Sequence, residues 1–584
     1  MRPVLGTALA LAALALACLA ALAAALAAPP AAEASVWVVP ATARVFPSTP
    51  AGARQTIAVQ AAGNEYEGVQ VALRGHGDHR VTFSWAPGSD PLVTDNTTLY
   101  RVGYVTVTRP TTDLGSKKGP YPDPLLPRAF DDALLIKGTT VSFYLMTHVP
   151  YGAPAGTYAA TLHVDNGGEA VDLPVKLRVY GFGWRQLETH TAFPLNIGMI
   201  KRSIEGSGVT FSGANKRQIV DAYFRFMVDH GLTPSPNQVW PQTTSTGHID
   251  KAAFADGLAP LLDEDGFAMN DARLPWVNYF PWSQSAYSPT STRLLTYLTE
   301  VCRVYKDNGW HKKAYAYILD ETTSTKAERK AEAYARTLHK ASAKSGYRCR
   351  FLLTDDPRPF SLGGIKTANK FLYDDVDIWV PRYYYFFGRV PALRERQKAG
   401  KDVWWYFYAN HFVKVTPSFV IEKANTNQRV IPWLMQQWRV DGLLNWGINR
   451  WGDALTGNGW RDPYQDPLSY RKPDGRVSNG ETSLMYPGYY PRYGLNDALA
   501  GPVSSLRLEA LRDGFEDQEY MKRALKTGTG SATFVKGVIK TITWYPYAIR
   551  QGNIFDFPKY TSSVSRFAAA RRKLAERIEA YQGT

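Results

Sequence analysis

Apolar and polar residues alternate in short runs from Ser35 to about Gly183, as in TIAVQAAG, GVQVALRG, HRVTFSWA, LYRVGYVTVT, TVSFYLMTHV, GTYAATLHVD and DLPVKLRVYG, with Gly, Pro, Asn and Asp between them. Period-two alternation broken by turn formers predicts strands, and seven such runs predict an antiparallel β-sandwich over 35–185. Within it, Pro110 to Arg128 is rich in Pro, Gly and Asp and reads as a long loop.

After Trp184 the rhythm changes. Short apolar runs now alternate with longer segments of helical period. Strands are expected at Ala192 to Ile197, Leu232 to Asn237, Arg273 to Tyr279, Tyr315 to Leu319, Arg350 to Thr354, Asp377 to Tyr383, Val403 to Tyr408 and Gly442 to Trp446. Helices are expected at Asn215 to His230, Thr292 to Asn308, Lys326 to Lys344, Val390 to Lys398 and, last, Ser504 to Leu525. Eight strand–helix units predict a (β/α)8 barrel over 186–528, with an open α/β sheet as the alternative. No glycine-rich loop follows the first strand, which removes nucleotide binding. Over 529–584, TFVKGVIKTITWYPYAIR alternates like a strand and Ser563 to Tyr581 reads as a basic amphipathic helix with a solvated face.

Residues 1–34 stand outside this pattern. Arg2, the apolar run Val4 to Ala28 and the small residues Ala32-Glu33-Ala34 resemble a signal peptide, so export to the cell surface or medium is expected. A retained membrane anchor is the alternative, because the run is long.

The net charge of +15 suits an acidic polymer or simple solubility; Lys and Arg are dispersed, so no nucleic acid partner is expected. Cys302 and Cys349 either pair or stay as two buried thiols. The histidines show no metal-ligand spacing, and neither metal nor cofactor is expected.

Chemistry concentrates where the fourth barrel strand ends, at KAYAYILDETTS, Lys313 to Ser324. Asp320 and Glu321 there would sit at the C-terminal end of a barrel strand, the catalytic end of such barrels. The competing reading is that they only start the following helix. Aromatic and amide residues recur at the other strand ends: Asn278, Tyr383, Tyr385, Tyr406, Asn410, Trp446, Asn449 and Trp451. Rings covering apolar sugar faces beside short polar groups make a saccharide site, so a glycan is the expected partner.

Glycosidic cleavage needs an acid on the leaving oxygen and a second carboxylate or nucleophile. Glu321 is the acid/base candidate. The seventh strand and its exit, VWWYFYANHF, hold no carboxylate, so a retaining reaction would draw its nucleophile from a substrate 2-acetamido group, with Asp320 orienting the amide. Inversion with Asp355, Asp356 or Asp453 stays open, as do a non-acetamido glycan substrate and a non-catalytic carbohydrate-binding protein.

The Asp320-Glu321 pair, WRVDGLLNWGINRWGD at Trp438 to Asp453, LMYPG at Leu484 to Gly488 and GPVSSLRLEALRDGFEDQEYM at Gly501 to Met521 resemble glycoside hydrolase family 123, the β-N-acetylgalactosaminidases. The resemblance implies exo-acting, substrate-assisted retaining hydrolysis without a metal, Glu321 as general acid/base and Asp320 as the acetamido-stabilising residue. Thr322 stands where relatives commonly have Pro. The charged residues from Arg507 to Glu519 are expected to form a structural ion network rather than a site.

Overall fold

The computed structural model describes residues 35–74, 78–167, 170–275, 288–322, 324–357, 361–362, 365–366, 372–407, 413–453, 459–545 and 557–582. The expected signal segment, Asn278 and Asn410 lie outside the described residues.

Ten strands precede residue 185: β1 (Ser35–Pro40), β2 (Ile57–Gly63), β3 (Glu65–Arg74), β4 (Asp78–Trp85), β5 (Thr97–Val107), β6 (Gly119–Arg128), β7 (Leu134–Lys137), β8 (Val141–Val149), β9 (Gly156–Asn166) and β10 (Ala170–Gly183). They form two five-stranded sheets, ordered β1-β3-β8-β5-β6 and β2-β10-β9-β4-β7. One apolar cluster draws on both, including Val71, Phe143 and Leu145 from the first and Val81, Leu162 and Leu177 from the second. Two expectations are corrected. The pairing is not wholly antiparallel, since β10 runs parallel to β2. The loop expected over Pro110 to Arg128 contains β6, whose prolines are accommodated because it lies at a sheet edge.

The second part is built on a curled sheet of seven parallel strands among the described residues: β11 (His190–Ala192), β12 (Ala272–Arg273), β13 (Ala314–Tyr317), β14 (Arg350–Leu353), β15 (Ile378–Trp379), β16 (Asp402–Tyr406) and β17 (Gly442–Leu444). Chain order is kept around the sheet, and β17 pairs back onto β11. The segment expected as a second strand, Leu232 to Asn237, makes a single parallel bridge, Phe193 to Pro234. Pro234 and Pro236 remove two backbone donors there, so a full ladder cannot form. Ala192, Tyr315, Leu352, Ile378, Trp404, Tyr406 and Leu444 from six strands fill one interior cluster, which makes the sheet's concave side a packed core. Gly442 is required by that packing: a Cβ there would lie 2.4 Å from the Trp404 ring.

The main helices are α1 (Ile197–Ser203), α2 (Gly213–Asp229), α3 (Lys251–Leu262), α4 (Thr292–Asp307), α5 (Thr325–Ser345), α6 (Val390–Lys398), α7 (Thr426–Trp438), α8 (Leu506–Ala524), α9 (Ser531–Ile542) and α10 (Val564–Gln582). The strand-like run in TFVKGVIKTI is therefore helix α9; Val535, Val538, Ile539 and Ile542 fall three to four residues apart and are buried together. Helix α10 is not merely a solvated basic helix. Arg571 is buried and reaches Asp517 of α8 at 2.5 Å and Glu65 of β3 at 2.6 Å, joining three parts of the chain. The charged face of α8 is a buried ion network: Arg429 bonds Asp513 and Asp517, and Arg507 bonds Asp123 of β6. Cys302 and Cys349 are disulfide-bonded, tying α4 to the start of β14. No helix among the described residues is long and apolar enough to cross a membrane.

Candidate active site

Asp320 and Glu321 follow β13 by three and four residues, at the C-terminal end of the parallel sheet. They are not part of the next helix. Ser324 caps α5, its hydroxyl accepting the Ala327 amide at 3.2 Å, so the helix begins after the acidic pair. Adjacent residues of an extended strand point to opposite faces, which would separate the two carboxylates. Here Glu321 has φ +43°, and this left-handed residue turns the chain so that both acids line one cleft. A non-glycine residue held in that region costs roughly 1–3 kcal/mol, a strain that clusters at functional sites.

The cleft has a volume of about 320 Å³. Tyr317, Tyr406, Trp446 and Tyr470 supply rings, Arg273 and Arg450 supply cations, and Asn445, Ser235 and Thr354 supply short polar groups. Asp320 Oδ1 accepts two hydroxyl hydrogen bonds, from Tyr317 at 2.6 Å and Thr354 at 2.8 Å. Burial, reinforced by Asp320, pushes the Tyr317 phenol well above its ordinary value, so it remains a donor. The Thr354 hydroxyl also accepts the Glu321 amide at 3.0 Å, fixing both residues to the end of β14.

Glu321 is held differently. Arg382 Nε lies 3.2 Å from Oε1, and its Nη2 bonds Oε2. The Tyr406 hydroxyl donates to Oε1 and accepts from Arg382 Nε at 2.8 Å. Burial, with Glu321 adding to it against the opposing pull of Arg382, holds the Tyr406 phenol well above its usual range. Tyr384 accepts from Arg382 Nη1 at 2.9 Å, bracing the guanidinium from the far side. Among the described lining residues, Asp320 and Glu321 are the carboxylates.

The other expected site residues separate into groups. Tyr406 and Trp446 line the cleft, Trp446 standing edge-on to Tyr470 with Arg450 5.1 Å from its ring centre. Tyr385 is half-buried beside Arg382 and Tyr384. Tyr383 is 2% exposed and packs among Phe387, Trp405 and Phe407, outside the cleft lining. Asn449 is buried, its amide bonded to both backbone groups of Asn196, and so it secures the turn into α1. Trp451 is buried with Nε1 bonded to the Met485 carbonyl. Asp355 accepts from Thr322 at 2.5 Å and Asp356 pairs with Arg389 at 2.9 Å; neither lines the cleft. Arg382, Tyr317, Thr354, Arg273 and Tyr470 were not singled out from the sequence. A lone Arg before YYY at a strand end was the one available signal for Arg382. Among the described residues no cluster of three His, Cys, Asp or Glu converges as a metal would require.

Residues 270–524 match the family model described as glycoside hydrolase 123, catalytic domain. This region is a glycoside hydrolase 123 catalytic domain. It spans β12 to the end of α8 and contains the acidic pair, so the cleft belongs to a glycosidase. The chain is similar in structure, over most of its length, to a family 123 glycoside hydrolase from Clostridium perfringens, whose structure was described in terms of glycolipid glycan hydrolysis. The TM-score is 0.64 at 14% identity, over 94% of this chain and 98% of that one, so the two share a fold. Slighter likenesses are a β-glucuronidase from Parabacteroides merdae (TM-score 0.27, 10% identity, 78% of this chain and 50% of that one) and a family 39 glycoside hydrolase from Bacteroides cellulosilyticus (0.28, 10%, 79% and 82%). No curated protein matches the chain.

Proposed function

We propose that this glycoside hydrolase removes terminal β-linked N-acetylhexosamine, N-acetylgalactosamine foremost, from an extracellular glycan by substrate-assisted retaining hydrolysis. The observation that carries this reading is the pairing of adjacent carboxylates in one cleft with no third carboxylate among its described lining residues.

Glu321 donates a proton to the leaving oxygen as the C–O bond breaks. The acetamido carbonyl oxygen attacks the anomeric carbon, forming an oxazolinium ring, while Asp320 accepts the amide N–H. Asp320 is suited to that static role because Tyr317 and Thr354 already fix its other interactions. Water then attacks the anomeric carbon from the face the leaving group vacated, giving its proton to Glu321 and reopening the ring with net retention. Trp446 and Tyr470 offer faces to the sugar, and Arg273 and Asn445 offer hydrogen bonds to its hydroxyls.

The test compares chromogenic β-N-acetylgalactosaminide with the matched β-galactoside, using the wild-type enzyme and Glu321→Gln. Hydrolysis confined to the acetamido substrate and abolished in the variant supports the reading. Equal activity on both sugars would move the mechanism to a nucleophile outside the substrate.

A further inference from the structure

A second cleft, of about 550 Å³, opens between α1, a short hairpin after β17 and the segment following LMYPG. Its lining includes Arg202 and Glu205 together with the rings of Trp460, Tyr489 and Tyr490. The hairpin pairs β18 (Gly452–Asp453) with β19 (Gly459–Trp460). Trp460 is 38% exposed, an unusual position for so large a ring, while its inner edge rests on the buried Trp451 at 6.1 Å and 84°. Tyr490 is fixed by its hydroxyl bond to Asp462 at 2.6 Å and by packing on Tyr464. The rings are thus held before any ligand arrives.

Its position relative to the catalytic cleft follows from the chain. Arg450 lines the catalytic cleft, and Gly452 is the cross-strand partner of Trp460. Two residues span at most ~7 Å and a paired strand adds ~5.5 Å, so the Trp460 backbone lies within roughly 13 Å of Arg450's. Helix α1 likewise starts just beyond β11, whose terminal Ala192 lines the catalytic cleft, and ends at Arg202 and Ser203. Both clefts are therefore lined by segments that leave the C-terminal end of the sheet.

We propose that this cleft binds the glycan chain beyond the residue being cleaved, with Trp460 as a stacking platform and Arg202 and Glu205 bonding hydroxyls. The ligand class is a neutral oligosaccharide on the leaving-group side. An exposed indole beside tyrosines, flanked by one cation and one anion rather than a single sign of charge, suits sugar faces and hydroxyls better than an ionic ligand. The proposal rests on the glycosidase reading above, and it makes the enzyme selective for extended glycans over single terminal sugars.

The experiment uses the full chain and two substrates: chromogenic β-N-acetylgalactosaminide and a fluorescently tagged neutral tetrasaccharide ending in β-linked N-acetylgalactosamine. Trp460→Ala should lower kcat/KM on the tetrasaccharide roughly five- to tenfold, mainly through KM, and leave the small substrate unchanged. Trp460→Phe should recover most of the loss. Equal loss on both substrates, or no loss on the tetrasaccharide, overturns the proposal. Should the wild type hydrolyse neither, the catalytic reading fails, and fluorescence polarisation of the tagged tetrasaccharide on wild type and Trp460→Ala then decides the platform alone. Weaker polarisation binding by the variant supports it and equal binding refutes it.

Discussion

Arg382 grips Glu321 with two nitrogens, Nε at 3.2 Å from Oε1 and Nη2 on Oε2. The candidate acid/base is thus positioned by a planar fork from the end of β15, two strands away in the sheet, rather than by its own flexible side chain. Lysine cannot reproduce that two-point grip. Arg382→Lys should lower kcat roughly ten- to hundredfold with KM little changed, because the lost charge-assisted bonds orient a reacting group. Steady-state kinetics on the chromogenic substrate give the split, and an effect confined to KM would assign Arg382 to sugar binding instead.

Tyr406 offers an independent probe of the same carboxylate. Its hydroxyl donates to Glu321 and accepts from Arg382, so Tyr406→Phe removes one bond from each while keeping the ring. The expected outcome is a fall in kcat of roughly tenfold with an unchanged melting temperature. Unaltered kcat would show that Arg382 alone sets the geometry.

Asp320 and Glu321 should separate kinetically. Glu321→Gln is expected to cost ~10²–10⁴-fold in kcat on a substrate with a poor leaving group, and less on an activated aryl glycoside that needs little protonation. Asp320→Asn should cost a similar factor regardless of leaving group, since the role proposed for it is in the acetamido attack. A Brønsted series of aryl glycosides measured on both variants tests this; identical leaving-group dependence would merge the two roles.

Stability hinges on a buried pair between the two parts of the chain. Arg507 and Asp123 are each 1% exposed and bonded at 2.8 Å, and Arg507 also donates to the carbonyls of Phe419 and Ser483 at 2.6 Å. Arg507→Met leaves the buried Asp123 carboxylate without its cation, with only the Tyr486 hydroxyl still donating to it, and should cost ~3–5 kcal/mol. The double variant Arg507→Met, Asp123→Asn should recover part of that. Denaturant unfolding of both proteins measures the difference, and a milder loss in the single variant would contradict the pairing.

Acid sensitivity has an identifiable source at the other end of the sheet. Burial pushes the Asp377 carboxyl up, but His339, Lys401 and Arg348 outweigh it and hold it down to about 2, below its ordinary 3.8. A depressed carboxylate contributes stability that is complete above its unfolded value and lost as pH falls through the folded one, so the loss runs from about 4 to about 2. The contribution is ~2 kcal/mol. Asp377→Asn should be less stable at pH 6 and show a flatter melting temperature between pH 4 and 2. A slope equal to the wild type's would exclude Asp377 as the source.

The sequence by itself determined the change from strand runs to strand–helix alternation near Trp184, the strand that leads to Asp320 and Glu321, and the ionic character of α8. Each is a local pattern, set by hydrophobic period or by the density of charge within one segment. It also predicted a second barrel strand over Leu232 to Asn237, where two prolines leave one bridge, and a strand where α9 forms. The run VKGVIKTI fits either period, and only packing of its buried face chose the helix. The tertiary structure alone decided which strand-end aromatics share the cleft. Tyr406 and Trp446 do, whereas Tyr383, Asn449 and Trp451 are consumed by packing or backbone bonds. Spacing along a strand exit does not fix the direction of a loop side chain. Nor could it reveal that Glu321 takes a left-handed conformation and meets Arg382, 61 residues later, because that contact exists only once β13 and β15 stand in one curled sheet.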